Sequence, residues 1–452
     1  MIRNIKTIVV ALAIIALPNV LATAQNTYSG YFTDGYLYRH QMNPAIGNEH
    51  GYISIPVLGN TNMAFRGSLA LNDILYNVNG KTTTFMNPNV SASEFLSNIK
   101  DQNKYGTDIK MEVLSIGFKG FKGYNTIGIN LRSNIGMMLP GDFFRLCKEG
   151  ISNQSYTIED MNLHADAYVE FALGHSHQIN NNLRIGATMK FLVGGANFDA
   201  NFRKAQLYLG EDNWTAITDA EVQFNMKGLE YQTKVNSETG HEYVNDLEVE
   251  NPGISGYGLA FDLGAEYKLK DWKFSVALLD LGFINWSNNW VASTNGEKSI
   301  ETNKYIFNVD DNAFNNFEDE LDRMVNDLSA LYELEDKGDM GSRSKTLAAT
   351  LNLGAEYTLP MYKKLSFGAL NTTRFSGDFT WTEFRLSANW APVKYFSAGI
   401  NGVGGTYGYG FGWIIRAGGF FIGMDRVMGS ITKQGVPINA NASFNMGLNI
   451  RF

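Results

Sequence analysis

The 452-residue chain has a formal net charge of −8, with 44% hydrophobic and 18% charged residues. This balance argues against a disordered chain and against a bundle of membrane helices. The excess of acids over bases also argues against nucleic-acid binding, which needs concentrated Lys and Arg. Glycine (46), phenylalanine (29) and tyrosine (22) are abundant, as in membrane β-barrels, where aromatic residues collect at the lipid interfaces.

Residues 1–24 are predicted to be a secretory signal peptide. Two basic residues precede an apolar core at residues 8–17, and Ala22-Thr23-Ala24 forms a small-x-small cleavage site. No later segment has the roughly 20 apolar residues that a membrane-spanning helix needs. Cys147 is the sole cysteine, so the exported chain is expected to fold without an internal disulfide.

Residues 25–60 are expected to stand apart from the barrel wall as an N-terminal hatch or plug segment. The segment is irregular and contains Asn43-Pro44-Ala45 and Pro56. Proline removes a donor from a strand ladder, which argues against a place in the wall. The sequence leaves two placements open, a plug inside a barrel or a tail in the periplasm.

Apolar residues then alternate with small or charged residues, which is the two-residue period of β-strands. The clearest case is Gly256 to Phe283, a hairpin with a tight link at Lys270 and Asp271. Its strands of about 12 residues exceed the usual 5–6 and suit a tilted crossing of a bilayer, which needs roughly 9–11. The predicted strands are residues 63–71, 111–118, 124–137, 163–173, 183–193, 257–269, 272–283, 347–359, 365–373, 381–390, 395–404, 407–417, 420–428 and 442–452.

This pattern predicts an all-β fold, a transmembrane antiparallel β-barrel of about 14 strands that covers residues 61–452. Residues 263–269 and 353–359 have closely similar sequences. The similarity is expected if both strands reach the same membrane interface, with a tyrosine at the headgroups and a turn beyond it.

The residues on the opposite face of the strands include many charges. Burying them in a soluble core would be costly, whereas a watery lumen accepts them. They would select solutes or, as we favour, pair across the barrel and hold the plug. The lumen candidates are Arg132, Asp166, Glu170, Arg184, Lys190, Asp262, Glu266, Glu356, Glu383 and Arg385.

Connection lengths give a separate argument for a barrel. Short links such as residues 120–123, 270–271 and 391–394 alternate with long loops, and this asymmetry is typical of outer-membrane barrels whose long loops lie outside the cell. Residues 317–334 are predicted to form an amphipathic helix that caps the outer rim, with partner binding as the alternative. The long loops are residues 72–110, 139–161, 194–255 and 285–343.

The chain ends on an alternating strand, residues 445–452, that closes on a terminal aromatic residue. This strand resembles the carboxy-terminal signal by which the barrel-insertion machinery recognises its clients, so that machinery is an expected partner. Together with the signal peptide it predicts a protein in the lipid of the outer membrane of a Gram-negative bacterium.

Three short motifs carry a family resemblance. They are Asn43-Pro44-Ala45, residues 279–286 and residues 421–425. With these motifs and about 14 strands, the chain resembles the long-chain fatty acid transporter (FadL-like) superfamily, and more closely an uncharacterised, domain-of-unknown-function family of exported barrels. The resemblance implies that Asn43, Pro44 and Ala45 belong to a lumenal hatch and that hydrophobic ligands leave through a gap in the wall.

The sequence contains few motifs that indicate catalysis, metal binding or cofactor binding. His175 and His177 stand at a strand end without a third ligand nearby in sequence, so no metal site is expected. There is no G-x-S-x-G motif, and the glycine-rich residues 402–410 lack the helix and the Lys-Ser/Thr of a phosphate-binding loop. We therefore expect neither an enzyme nor a cofactor.

Three functional hypotheses follow. The first is an outer-membrane transporter or channel for small molecules, hydrophobic ones included, with an N-terminal hatch. The second is a non-transporting surface or scaffold barrel that binds a partner through its long extracellular loops. The third is a secreted, soluble all-β protein, which would be recovered without detergent.

Overall fold

A computed structural model describes residues 28–68, 74–79, 81–149, 154–209, 214–236, 240–294, 298–301, 333–427 and 441–452. The predicted signal peptide (residues 1–24) and the predicted amphipathic helix (residues 317–334) fall outside these ranges, apart from the last two residues of the helix.

Strands dominate the described part of the chain. In chain order they are β1 (Tyr52–Ser54), β2 (Thr61–Gly67), β3 (Leu75–Val78), β4 (Lys81–Thr84), β5 (Gln102–Gly120), β6 (Gly123–Pro140), β7 (Gln154–Ile158), β8 (Met161–Gln178), β9 (Leu183–Leu209), β10 (Trp214–Asn225), β11 (Lys227–Val235), β12 (Glu242–Gly253), β13 (Gly256–Leu269), β14 (Trp272–Trp286), β15 (Asn289–Ser293), β16 (Lys298–Glu301), β17 (Glu335–Asp339), β18 (Arg343–Thr346), β19 (Ala349–Thr358), β20 (Leu365–Phe375), β21 (Trp381–Val393), β22 (Phe396–Gly405), β23 (Gly408–Ala417), β24 (Phe420–Val427) and β25 (Ala442–Arg451).

These strands form a closed antiparallel barrel of 14 barrel strands, as the sequence predicts. Some barrel strands are interrupted and comprise more than one of the segments above. The first barrel strand consists of β1 and β2, both of which pair with β5 on one side and β25 on the other. This double pairing closes the cylinder, so the wall has no free edge there.

The exterior of the barrel is apolar. On β13, Tyr257, Leu259, Phe261 and Leu263 are 44–55% exposed, whereas Asp262 between them is buried. In the described part of the chain no second protein layer covers these apolar side chains, so they form the surface that meets lipid. The alternation seen in the sequence therefore separates a lipid face from a lumen face, and this part of the prediction is confirmed.

The described helices are short. Two 3₁₀ helices, Tyr28–Gly30 and Leu37–Gln41, precede the wall, and α1 (Ala92–Leu96) and α2 (Gly141–Glu149) lie in two of the outer loops. Phe95 of α1 and Phe144 of α2 are buried together in a small apolar cluster. Short helices in the long loops are thus part of the fold, as expected.

No helix within the described ranges combines the length and the apolar character needed to cross a bilayer.

The predicted loop at residues 194–255 is wrong, because most of it is strand. β9 continues to Leu209. β10 and β13 lie one after the other along β9 and both pair with it, so that Asn225 lies opposite Asn197 and Gly256 opposite Gly194. The β11–β12 hairpin is inserted between them. β15, β16 and β17 extend the neighbouring strands in the same way, inside the predicted 285–343 loop.

These extensions form a sheet beyond the apolar part of the barrel, which we call the outer sheet. Its strands lack the alternation of apolar and polar residues seen in the membrane part, because they carry more polar residues. One example is Arg203, whose Nη2 lies 2.6 Å from Oδ1 of Asp219. Both faces of such a strand tolerate water, so a search for alternating apolar residues does not detect it.

The structure also differs at one boundary of the predicted 25–60 segment. The wall begins at β1, within that segment, and residues 55–60 interrupt the first barrel strand before β2. Val57 has a positive φ of 68° at this interruption. Pro56 accounts for the break, since it cannot donate to the neighbouring strand.

Candidate functional site in the lumen

Residues 28–51, which we call the plug, lie inside the barrel. Aromatic side chains make up much of the plug, and Tyr31, Tyr36 and Tyr38 are each only 1% exposed. They pack with wall residues such as Leu370 and Phe421 in one cluster of buried side chains. The ring of Tyr36 meets that of Phe421 edge to face at 5.0 Å between centroids, a favoured aromatic geometry.

Polar atoms of the plug are matched by polar atoms of the wall. The Tyr38 hydroxyl lies 2.6 Å from Oε1 of Glu112 and 2.5 Å from Oδ1 of Asn449. The Tyr31 hydroxyl lies 3.0 Å from Oγ of Ser275. These contacts satisfy hydroxyl groups that burial would otherwise leave without partners.

The Asn43-Pro44-Ala45 triplet lies flat against the wall. The Asn43 side chain is fully buried, accepts a hydrogen bond from the Ala45 amide at 3.0 Å and donates one to the Ala265 carbonyl at 3.3 Å. A Cβ at Gly264 would lie 2.1 Å from Oδ1 of Asn43, and a Cβ at Gly186 would lie 2.1 Å from the Pro44 carbonyl oxygen. Glycine at these two wall positions therefore makes room for the triplet.

Five charged side chains on the outer side of the plug form what we call the first charge cluster. Lys190 Nζ lies 2.7 Å from Asp262, 2.6 Å from Asp280 and 3.7 Å from Glu170. Arg132 lies 3.0 Å from Glu170 and 3.2 Å from Asp280. All five side chains are at most 9% exposed, so their charges are stabilised chiefly by one another.

A second charge cluster lies on the other side of the lumen. Arg385 lies 2.7 Å from Asp425 and 3.3 Å from Glu383, and Arg426 lies 3.0 Å from Glu383. Ser29 of the plug donates a hydrogen bond to the Asp425 carboxylate. The cluster therefore connects the wall to the N-terminal end of the plug. Its members are Arg66, Asp108, Arg374, Glu383, Arg385, Asp425 and Arg426.

Asn134 and Arg374 extend the second cluster to Asp166. Arg374 lies 3.3 Å from Asp108 and donates a hydrogen bond to Oδ1 of Asn134 at 3.0 Å. Asn134 in turn donates to Asp166 at 2.6 Å. We call the two clusters, together with Asn134 and Asp166, the charged layer. It spans the lumen between the plug and the outer end of the barrel.

Two β-bulges direct members of the charged layer inward. Asp280 has a positive φ of 58°, at a register shift between β13 and β14, and Arg426 has a φ of 56°, at a register shift between β23 and β24. A bulge adds one residue to one strand and changes which side chains face the lumen. Asp280 and Arg426 were missed from the sequence because they do not follow the alternation of the strand as a whole.

The structure brings together seven of the ten lumen candidates and separates three. Arg184 donates a hydrogen bond to Gln178 at 3.1 Å near the periplasmic mouth and lies opposite Glu266 in the strand register. Glu356 lies 2.9 Å from Lys273. The seven candidates in the charged layer are Arg132, Asp166, Glu170, Lys190, Asp262, Glu383 and Arg385.

A cavity of about 360 Å³, which we call the outer cavity, lies on the outer side of the charged layer. Arg132 and Arg374 of the layer form part of its lining, together with His164, Trp286 and Trp381. The lining thus combines charges with flat aromatic surfaces. A smaller cavity of about 30 Å³ lies between the layer and Tyr28 of the plug.

His175 and His177 have ring centroids 5.8 Å apart, and His175 Nδ1 contacts the Asn125 side chain at 2.9 Å. Within the part of the chain that the structure describes, no group of three or more His, Cys, Asp or Glu side chains is placed to hold a metal ion.

A closed 14-strand barrel with an apolar exterior, a charged lumen and an N-terminal segment folded inside it defines a plugged membrane β-barrel. This architecture belongs to the outer membrane of Gram-negative cells, which is where the sequence predicted the protein to be. The chain belongs to the family of unknown function DUF5723, which matches residues 44–425. The predicted membership of a domain-of-unknown-function family is therefore confirmed.

The chain is similar to several solved structures, each with a TM-score below 0.5. A TodX deltaS2S3 mutant, a monoaromatic hydrocarbon channel, is 7% identical with a TM-score of 0.41 and 96% of each chain covered. The toluene transporter TodX of P. putida is 10% identical with a TM-score of 0.36, and 95% of this chain and 94% of TodX are covered. A FadL homologue of Pseudomonas aeruginosa is 10% identical with a TM-score of 0.36, and 96% of this chain and 98% of the homologue are covered. No protein of curated function matches the chain in sequence.

Proposed function

We propose that this protein moves a small molecule across the outer membrane and that the plug is a hatch which must rearrange to let the molecule pass. The proposal starts from the shape of the lumen. The outer cavity reaches the charged layer, and the plug fills the lumen beyond it. A solute that enters from outside can go further only if the plug changes its position or its conformation.

The observation that carries the proposal is the contact between the charged layer and the plug. Arg132 and Arg374 line both the outer cavity and the small cavity above Tyr28. Ser29 is bonded to Asp425, a carboxylate that also pairs with Arg385. Arg374 is connected to Asp425 by a series of ion pairs over Asp108, Arg66, Glu383 and Arg385. A ligand that draws Arg374 toward itself would therefore disturb the contact that holds Ser29 of the plug.

The lining of the outer cavity supports a ligand with polar or charged groups and a flat apolar face, more than a wholly hydrophobic one. Arginines and carboxylates offer charge-assisted hydrogen bonds. Phe379 and Tyr407 offer aromatic surface in the same cavity. A pure hydrocarbon would have to cover these charges without replacing their hydrogen bonds, which is unfavourable.

The test is a reversible lock between plug and wall. A Cβ at Gly399 would lie 3.0 Å from Oγ1 of Thr33, a separation compatible with disulfide geometry. The variant Thr33→Cys/Gly399→Cys is made in a Cys147→Ser background. Ion conductance in planar bilayers and liposome swelling with arabinose or glutamate are measured before and after reduction. We expect flux in the reduced protein and its loss on oxidation.

The Cys147→Ser protein with no added cysteines is the matched control, and its flux should not respond to oxidation. Equal flux in the oxidised and reduced double-cysteine protein would rule out the plug as a hatch. Absence of flux from the reduced protein and also from a protein without the plug would rule out transport.

A further inference from the structure

A second recess, of about 430 Å³, lies at the opposite end of the lumen from the outer cavity. It is bounded by Asn48 of the plug, by the turn between β5 and β6, and by the ends of β8 and β9. We call it the periplasmic recess, because the short turns, such as residues 120–123 and 270–271, lie at this end of the barrel.

The lining of the periplasmic recess has three cations and no acid. The cations are Lys119, Lys122 and Arg184. Among the described residues, none of the three takes part in an ion pair, although Glu266 lies opposite Arg184 in the strand register and Glu49 follows Asn48 in the chain. Three positive charges in one recess attract an anion more strongly than isolated surface lysines do.

A buried hydroxyl in the same recess has no partner. Ser176 is 4% exposed, and its Oγ has no hydrogen-bond partner in the described part of the protein. This atom faces the plug, since a Cβ at Gly47 would lie 3.0 Å from it and 3.2 Å from Nη1 of Arg184. A buried hydroxyl without a partner is costly, and an acceptor oxygen from a ligand would remove that cost.

The turn that carries Lys122 has a strained backbone. Phe121 and Lys122 both have positive φ, 54° and 58°, as in a type I′ hairpin turn, where Asn and Gly are preferred. The chain nevertheless has a lysine at this position. Backbone strain of this kind often accompanies function, and here it fixes a cation at the mouth of the recess.

We infer that the periplasmic recess binds a small, soluble oxyanion of the phosphate type. Lys119, Ser176 and Arg184 lie on the lumen side of their strands, so the barrel wall separates the site from lipid headgroups. Phosphate oxygens accept hydrogen bonds from ammonium, guanidinium and hydroxyl groups together. The site is formed with the plug in its place inside the barrel, so its test does not require the hatch to open.

The experiment measures binding of radiolabelled inorganic phosphate to the full-length, folded protein in an uncharged detergent, by equilibrium dialysis at constant ionic strength. We expect saturable binding at one site per chain. Lys119→Gln/Lys122→Gln should weaken it about tenfold and Ser176→Ala about fivefold, the changes that correspond to losing charged and neutral hydrogen bonds. Circular dichroism confirms that each variant keeps its strands.

Lys363→Gln/Lys364→Gln is the matched control, since these two exposed lysines lie in another turn at the same end of the barrel. It should bind phosphate like the unaltered protein. An equal loss in this control would indicate a diffuse positive field and overturn the site, as would the absence of saturable binding at about millimolar phosphate. Tighter binding of glycerol 3-phosphate than of phosphate would identify the ligand as an organic phosphate.

Discussion

At the scale of single residues, the charges of the lumen are stabilised mainly by one another. Lys190 and Arg132 share Glu170 and Asp280 as partners. Little water reaches these side chains, so removing one partner leaves the others as uncompensated charges in a medium of low dielectric constant. The loss of one carboxylate should therefore cost more than the loss of a pair at the surface.

We predict that Asp280→Asn lowers the free energy of unfolding by about 3 kcal/mol, because it leaves Arg132 and Lys190 with one negative charge fewer between them. Urea unfolding of the protein in lipid vesicles, followed by tryptophan fluorescence, measures the change. Asp219→Asn is the control: Asp219 is 28% exposed and its partner Arg203 is 53% exposed, so the expected loss is about 1 kcal/mol or less. Equal losses in the two variants would contradict the mutual stabilisation of the charged layer.

Regular alternation explains which lumen residues could be predicted from the sequence. Glu170 and Lys190 follow it and were identified. On β14 the exposed apolar residues change phase, from Val276 to Leu281, so that Asp280 turns inward at a bulge. The change of phase was visible in the sequence, but the partner strand that fixes the bulge was not, so neither Asp280 nor its role could be derived.

At the scale of elements, the outer sheet shows where sequence patterns stop being informative. Membrane strands can be recognised because one face must be apolar. That requirement ends where the strands leave the bilayer, and the second half of β9 and all of β10 then read as a polar loop. The β11–β12 hairpin is an insertion between β10 and β13. Because it is polar like the strands on either side of it, it could not be distinguished from them in the sequence.

Removing the β11–β12 hairpin should leave the barrel folded. β10 and β13 lie in line along β9, with Asn225 and Gly256 opposite residues only three apart, Asn197 and Gly194. A short glycine-containing link can therefore replace residues 227–253. We expect unchanged strand content by circular dichroism and normal insertion into vesicles, with loss limited to the small cluster that Leu229 forms in the outer sheet. Failure to insert would show that the hairpin is needed for the wall.

At the scale of the whole molecule, the plug touches the strand that closes the barrel. On β25, Asn445 donates a hydrogen bond to the Tyr36 hydroxyl at 3.0 Å, and Asn449 lies within hydrogen-bond distance of Tyr38. The pairing of β25 with β1 and β2, however, involves wall residues only. Closure of the cylinder and filling of its lumen are therefore separable steps, even though they meet at the same strand.

Deletion of residues 28–48 should consequently give a barrel whose wall is closed by strand pairing but whose lumen is open at both ends. The wall starts at Tyr52, so all strand pairs remain. The polar side chains that the plug leaves, such as Glu112 and Asn449, would be hydrated by water in the lumen, which avoids the cost of leaving them buried without partners. We expect a large, steady ion conductance in planar bilayers, well above that of the oxidised Thr33→Cys/Gly399→Cys protein, because a 14-strand barrel is wide enough to hold water once it is emptied. A folded deletion protein that conducts no better than the oxidised double-cysteine protein would mean that the charged layer alone closes the lumen. The plug would then fill the barrel without having a gating role.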